Sequence, residues 1–209
     1  MLLQWAPAGR GVHFFQYRAF ACALGLWLCA AVPHARSTES PADLKPWPGD
    51  AAAPRFVLDD LTRQPVSLSD IDSEIVIVHF FATWCEPCRD ELPALTRLVS
   101  RSAPAQLRVI SISVAEVDIR VRRFVETMPV NFPVLLDRDR SVARSWGVSA
   151  LPTSFVLDRN LTPHLVVERD YGWDGIDVAT LRASIRDGRS AATENRKSKT
   201  QKINGGERQ

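Results

Sequence analysis

Ile75-Val76-Ile77-Val78-His79-Phe80-Phe81 is a nearly unbroken apolar run, rich in β-branched residues, that ends four positions before Cys85. A run of this length without polar alternation reads as a central strand covered on both faces. Cys85-Glu86-Pro87-Cys88 follows after Ala82-Thr83-Trp84, and then Glu91, Leu92, Leu95 and Leu98 fall at helical spacing. The segment therefore predicts strand, tight turn, and a helix that starts at the first cysteine. That placement has chemical content. A helix N-terminus carries unpaired N–H groups and the positive end of the helix dipole, which stabilise a thiolate and lower its pKa. Cys85 should be the exposed attacking thiol. Cys88, one turn deeper, should resolve the mixed disulfide. Two intervening residues let the ring close without unwinding the helix, and Pro87 fixes part of the turn.

Three other uses of the two cysteines fit less well. A purely structural disulfide across so short a loop contributes only about 2 kcal/mol by chain entropy, against about 5 kcal/mol for a long one. A zinc half-site needs a second pair of ligands at suitable spacing, and the sequence offers none. Two free buried thiols do not suit a Glu-Pro insert between strand and helix. No metal and no cofactor is expected.

The remaining chain alternates strand and helix. Phe56-Val57-Leu58 and Val66-Ser67-Leu68 flank a polar turn and predict a small hairpin. Leu107 to Ser113 is a second buried strand, and 117–127 an amphipathic helix with Ile119, Val121, Phe124 and Val125 among arginines. Val134-Leu135-Leu136 is a short strand, and Ser141 to Trp146 a short helix closed by Gly147. Thr153 to Leu157 and Leu165 to Val167 read as a closing hairpin, followed by a helix over 177–187. This order predicts an α/β fold with a mixed sheet flanked by helices.

Charge is segregated. Residues 1–36 hold Arg10, Arg18 and Arg36 and no acid, and residues 189–209 are strongly basic, so the middle is mildly acidic although the whole chain is +2. An acidic core between basic ends argues against nucleic acid as a partner. Arg10 and Arg18 precede an apolar run of about 14 residues, Ala19 to Val32, which has the form of a secretory signal. A transmembrane helix needs roughly 20 residues. Cleavage after Ala31 or Ala35 is expected, with an uncleaved membrane anchor as the alternative, so residues 1–36 form a leader and the protein is exported. Cys22 and Cys29 lie in that leader, which leaves Cys85 and Cys88 as the only cysteines of the mature chain. Residues 37–53 read as a linker, 54–188 as the folded domain, and 189–209 as a disordered basic tail.

Trp84-Cys85-Glu86-Pro87-Cys88 followed by Pro93 resembles the thioredoxin superfamily. More narrowly, the stretch from Phe56 to Leu157 resembles the TlpA/ResA-like exported reductases. The likeness rests on the leading hairpin, on Phe81 to Pro93, on Phe132 to Asp137, and on Gly147 to Phe155. It implies a thioredoxin-like fold with an N-terminal β-hairpin and a central β-α insertion near 107–128. It implies that Pro152 is a cis-proline beside the cysteines, presenting backbone to a substrate. It implies that Glu91 lies near the cysteines and influences their protonation; read from the residues alone, Glu91 is equally a solvated helix carboxylate. Glu86, between the cysteines, disfavours the thiolate and so favours a reducing potential.

His79 departs from the pattern, because thioredoxins carry a buried Asp there and this family usually Asn. Two readings stand: His79 takes the proton of Cys88 during resolution, with a pH dependence near neutrality, or it is a hydrogen-bonded core histidine. The resemblance implies a periplasmic thiol–disulfide oxidoreductase that reduces protein disulfides, among them apocytochrome c, and is recharged by a membrane electron donor. A disulfide oxidant or isomerase is the alternative. A thiol peroxidase of this fold usually has Thr three residues before its cysteine, where this chain has Ala82. A copper-delivery protein would want wider cysteine spacing and a distal histidine, and His164 is the only histidine downstream.

Overall fold

A computed structural model describes residues 44–47, 52–190 and 193. The leader 1–36, most of the 37–53 segment and most of the tail lie outside these residues. The described residues form eight strands: β1 (Lys45–Pro46), β2 (Val57–Asp59), β3 (Pro65–Ser67), β4 (Ile75–Phe81), β5 (Leu107–Val114), β6 (Val134–Asp137), β7 (Thr153–Asp158) and β8 (Pro163–Val167). The helices are α1 (Glu86–Ser100), α2 (Asp118–Thr127), α3 (Ser141–Ser145) and α4, over 178–190. Six strands form one sheet in the order β1-β8-β7-β4-β5-β6, and β2 and β3 pair separately as the expected hairpin. β4 runs parallel to β5 and antiparallel to β7, so the sheet is mixed.

The apolar run explains the layering. Every residue of β4 is buried, and successive side chains point to opposite faces. Ile75, Ile77 and Phe81 join Leu92, Leu95 and Leu98 of α1 and Leu181 and Ile185 of α4 in one core. Val76, Val78 and Phe80 join Phe56, Leu135, Trp146 and Phe155 in the other. Each fully buried leucine of α1 contributes about 1.5–3 kcal/mol relative to exposure. Alternation also decides where His79 points: to the α1 side, under the helix that carries the cysteines.

Two local devices shape the loop that reaches the site. Asp137 ends β6 and accepts the N–H groups of Val142 and Ala143 at 3.2 and 2.8 Å, which starts α3. Gly147 stops α3 at φ 69°, with Gly147 N–H donating to Arg144 O and Val148 N–H to Ala143 O. This is a glycine-dependent helix stop that turns the chain toward Pro152.

Two boundaries differ from expectation. The 37–53 segment is not wholly a linker: β1 pairs with β8, Trp47 N–H donates to His164 O at 2.8 Å, and the Trp47 ring packs edge-on against Phe155. The β8 edge offers unpaired backbone groups, and burying Leu44 and Trp47 rewards filling it. At the other end α4 continues to 190, past the expected limit at 188. Arg189 there binds Asp158 and donates to His164, which ties the last turn of the helix to the sheet.

Candidate active site

The polypeptide leaves β4 at Phe81 and turns at Ala82, whose carbonyl accepts the Cys85 N–H at 3.1 Å. Cys85 is the N-cap of α1 and Cys88 lies in its first turn; the two are joined as a disulfide with Cα atoms 5.3 Å apart. Cys85 Sγ accepts the Cys88 N–H at 3.4 Å, standing where a Ser or Asp oxygen usually caps a helix. Cys85 is 6% exposed and Cys88 fully buried. Cys85, expected to be exposed, is thus buried in the disulfide form, although less completely than Cys88. Trp84 is 66% exposed beside the pair. Glu86 and Pro87 face solvent. Pro93 lies inside α1 and leaves the Arg89 carbonyl without its intrahelical donor.

Pro152 follows a cis peptide bond and is buried. β7 pairs Thr153 with Phe80, and one further step of that register sets Pro152 beside Phe81, at the strand end from which the cysteine turn departs. Phe81 and Pro152, 71 positions apart, thus meet at one end of the sheet.

Beneath α1 lies a buried polar pair. Glu91 is 3% exposed, so the solvated reading of this carboxyl is replaced by a buried one. It stands three residues after Cys88 and shares its face of the helix. Its Oε1 accepts the indole N–H of Trp173, and its Oε2 lies 4.0 Å from His79 Nδ1. His79 is fully buried, with Nδ1 2.9 Å from Ser154 Oγ and Nε2 without a hydrogen-bond partner. Burial pushes the Glu91 carboxyl up to about 8, against the opposing pull of the Trp173 hydrogen bond. Burial pushes the His79 imidazole down to about 3. Both groups are therefore mainly uncharged at neutral pH, and their 4.0 Å approach is not an ion pair there.

Trp173, Ser154 and Glu116 were not visible as site residues in the sequence. The Glu116 carboxyl is buried and accepts from Thr83 N–H at 2.8 Å, Thr83 Oγ1 at 2.5 Å and Ser113 Oγ at 2.9 Å. It fastens the turn before Cys85 to the end of β5. An acid at the end of an apolar strand was the available signal, but its partner at 83 is a matter of packing. His164 does not approach the cysteines: it binds Asp158, which pairs with Ile75 at the opposite end of β4.

A family model described as the AhpC/TSA family matches residues 49–162, just over half of the chain. The chain belongs to the AhpC/TSA family. Its fold is thioredoxin-like, a mixed sheet flanked by helices in which β5 pairs in parallel with β4. Within this family's reach, the chain is 38% identical over 106 residues to the thiol-disulfide oxidoreductase ResA of Bacillus subtilis (strain 168). That match covers 51% of this chain and 59% of the relative. Among solved structures, a thiol:disulfide interchange protein of the thioredoxin family from Chlorobium tepidum TLS aligns with a TM-score of 0.57 at 25% identity, covering 66% of this chain and 99% of that one. Peroxidoxin BcpB from Mycobacterium tuberculosis aligns with a TM-score of 0.54, also at 25% identity, over 64% of this chain and 95% of that one.

Proposed function

We propose that the chain is an exported thiol–disulfide oxidoreductase that reduces protein disulfides outside the cytoplasm through Cys85 and Cys88. The observation that carries this reading is the pair itself: Cys85 caps α1, Cys88 is buried in the next turn, and Pro152 lies at the same strand end. In the reduced enzyme the Cys85 thiolate attacks a substrate disulfide, and one substrate sulfur leaves as a thiolate that takes a proton from water. The Cys88 thiolate then attacks Cys85 Sγ in the mixed disulfide. The Cys85–Cys88 bond forms, the second substrate sulfur departs, and two electrons have passed to the substrate.

The ionised form of Glu91, a minority at neutral pH that grows as the pH approaches 8, receives the proton of Cys88 in this scheme, because it shares that thiol's face of α1. His79, pushed down to about 3, is a poor acceptor near neutral pH. Its part is to fill the space under α1, held by Ser154. The haem-binding cysteines of apocytochrome c are the substrate class, and a membrane dithiol donor restores the reduced pair. Export rests on the leader read from residues 1–36. No helix among the described residues is long and apolar enough to cross a membrane.

The test is the reduction potential of the Cys85/Cys88 pair, by equilibration with dithiothreitol or glutathione buffers. A value near or below about −270 mV supports a reductant, and one near about −120 mV makes the chain an oxidant and refutes the direction of electron flow. The likeness to a peroxidoxin gives peroxidase activity a hearing. Peroxide-dependent oxidation of the reduced pair, much faster than that of free thiols, would favour it over disulfide reduction.

A further inference from the structure

Beside the redox turn is a cavity of about 410 Å³, lined among others by Trp84, Val114, Ala115, Arg140, Val148 and Leu151. Four segments build it: the residue before Cys85, the end of β5, Arg140 at the start of α3, and the loop from α3 that ends at the residue before Pro152. The cavity thus adjoins both structures that flank the disulfide. Ala115 and Arg140 adopt left-handed backbone, φ 59° and 62°, which non-glycine residues rarely take. One group holds both of them: the Asp137 carbonyl accepts the N–H of Ala115 at 2.9 Å and of Arg140 at 3.3 Å. Backbone held in sparsely populated regions concentrates where a site must be shaped.

Charge distinguishes Arg140 from its neighbours. Arg138 grips Asp118 and Asp59. Arg144 donates to the Asp139 carbonyl at 2.8 Å. Glu116, next to Ala115, is engaged by Thr83 and Ser113. The Arg140 guanidinium has no ion pair or side-chain hydrogen bond among the described residues. The cavity is therefore an apolar wall of Trp84, Val114, Val148 and Leu151 with one uncompensated cation on its rim.

We infer that Arg140, at the rim of this cavity, selects an Asp or Glu side chain in the polypeptide flanking the substrate cysteine. The inference rests on the thiol–disulfide reading above and deepens it. A peptide lying extended along the Pro152 edge advances about 3.3 Å per residue, so its second or third residue from the reacting cysteine lies about 7–10 Å along, and Arg140 lines the same cavity as Leu151, the residue before Pro152. A guanidinium presents a planar fork of donors that matches a carboxylate, and the apolar wall takes the side-chain stem.

The test uses the reduced full chain and two disulfide-containing peptides that differ only in Glu or Gln two residues from the cysteine. The wild-type protein should reduce the Glu peptide with kcat/KM about two- to fivefold higher, through KM, and the ratio should shrink in high salt. In Arg140→Asn, which tolerates left-handed backbone, the Glu/Gln ratio should fall to about 1. In Arg140→Lys it should remain above 1. Because the ratio is taken within one variant, partial loss of folded protein cancels. Equal rates for the two peptides with wild type, or a ratio that survives Arg140→Asn, overturn the subsite. Failure of wild type to reduce either peptide overturns the oxidoreductase reading and the subsite with it.

Discussion

His79 and Glu91 are both buried without charge, and they make stability depend on pH in opposite directions. The unfolded imidazole titrates at its ordinary 6.5, the folded one at about 3. Between these values the unfolded chain binds a proton that the folded chain refuses, so stability falls on acidification below 6.5. The unfolded carboxyl titrates at its ordinary 4.5, the folded one at about 8. Between these values the folded chain keeps a proton that the unfolded chain releases, so stability falls as the pH rises above 4.5. Each slope is about 1.4 kcal/mol per pH unit. From pH 4.5 to 6.5 the two cancel, and the pair contributes a plateau. Above the plateau stability drops by about 2 kcal/mol by pH 8, and below it by about 2 kcal/mol by pH 3. Urea denaturation of the oxidised full chain at a series of pH values reads this directly. Subtracting wild type from each variant removes the background of the other carboxylates. The Glu91→Gln difference should move in the variant's favour by about 3 kcal/mol between pH 4.5 and 7. The His79→Asn difference should move in its favour by about 3 kcal/mol on going down from pH 6.5 to 4.5. A Glu91→Gln difference that stays flat between pH 4.5 and 7 would refute the burial argument, because an ordinary carboxyl titrates alike in both states.

Two further outcomes follow from the site. Cys88→Ser should retain attack by Cys85 and accumulate a covalent mixed disulfide with a disulfide substrate, visible by mass spectrometry; Cys85→Ser should trap none, and the reverse pattern would invert the assigned order of the two thiols. Glu116→Ala should cost about 1–3 kcal/mol in chemical denaturation, since Thr83 and Ser113 lose a shared buried acceptor. An unchanged midpoint would mean the turn before Cys85 needs no such fastening.

What could be read from the chain follows from the range of the forces involved. The β4 run, the helical spacing of Leu92, Leu95 and Leu98, and the glycine stop at Gly147 are local patterns, and the elements appear within a residue or two of their expected ends. The Leu151–Pro152 bond was legible only through resemblance, because a proline after a leucine looks the same in an ordinary loop. β1 was missed because Lys45-Pro46 has no strand character of its own; the β8 edge confers it.

The cysteine motif, the strand before it and the helix after it were determined by the sequence alone, since strand alternation, helix capping and a two-residue cysteine spacing act over a few neighbouring residues. The tertiary structure decided the environment. Trp173 meets Glu91 across 82 positions and Ser154 meets His79 across 75. Thr83 meets Glu116 across 33. Only that packing removes water from the carboxyl and the imidazole, and removing water is what shifts their titration; no local pattern of residue types carries that information.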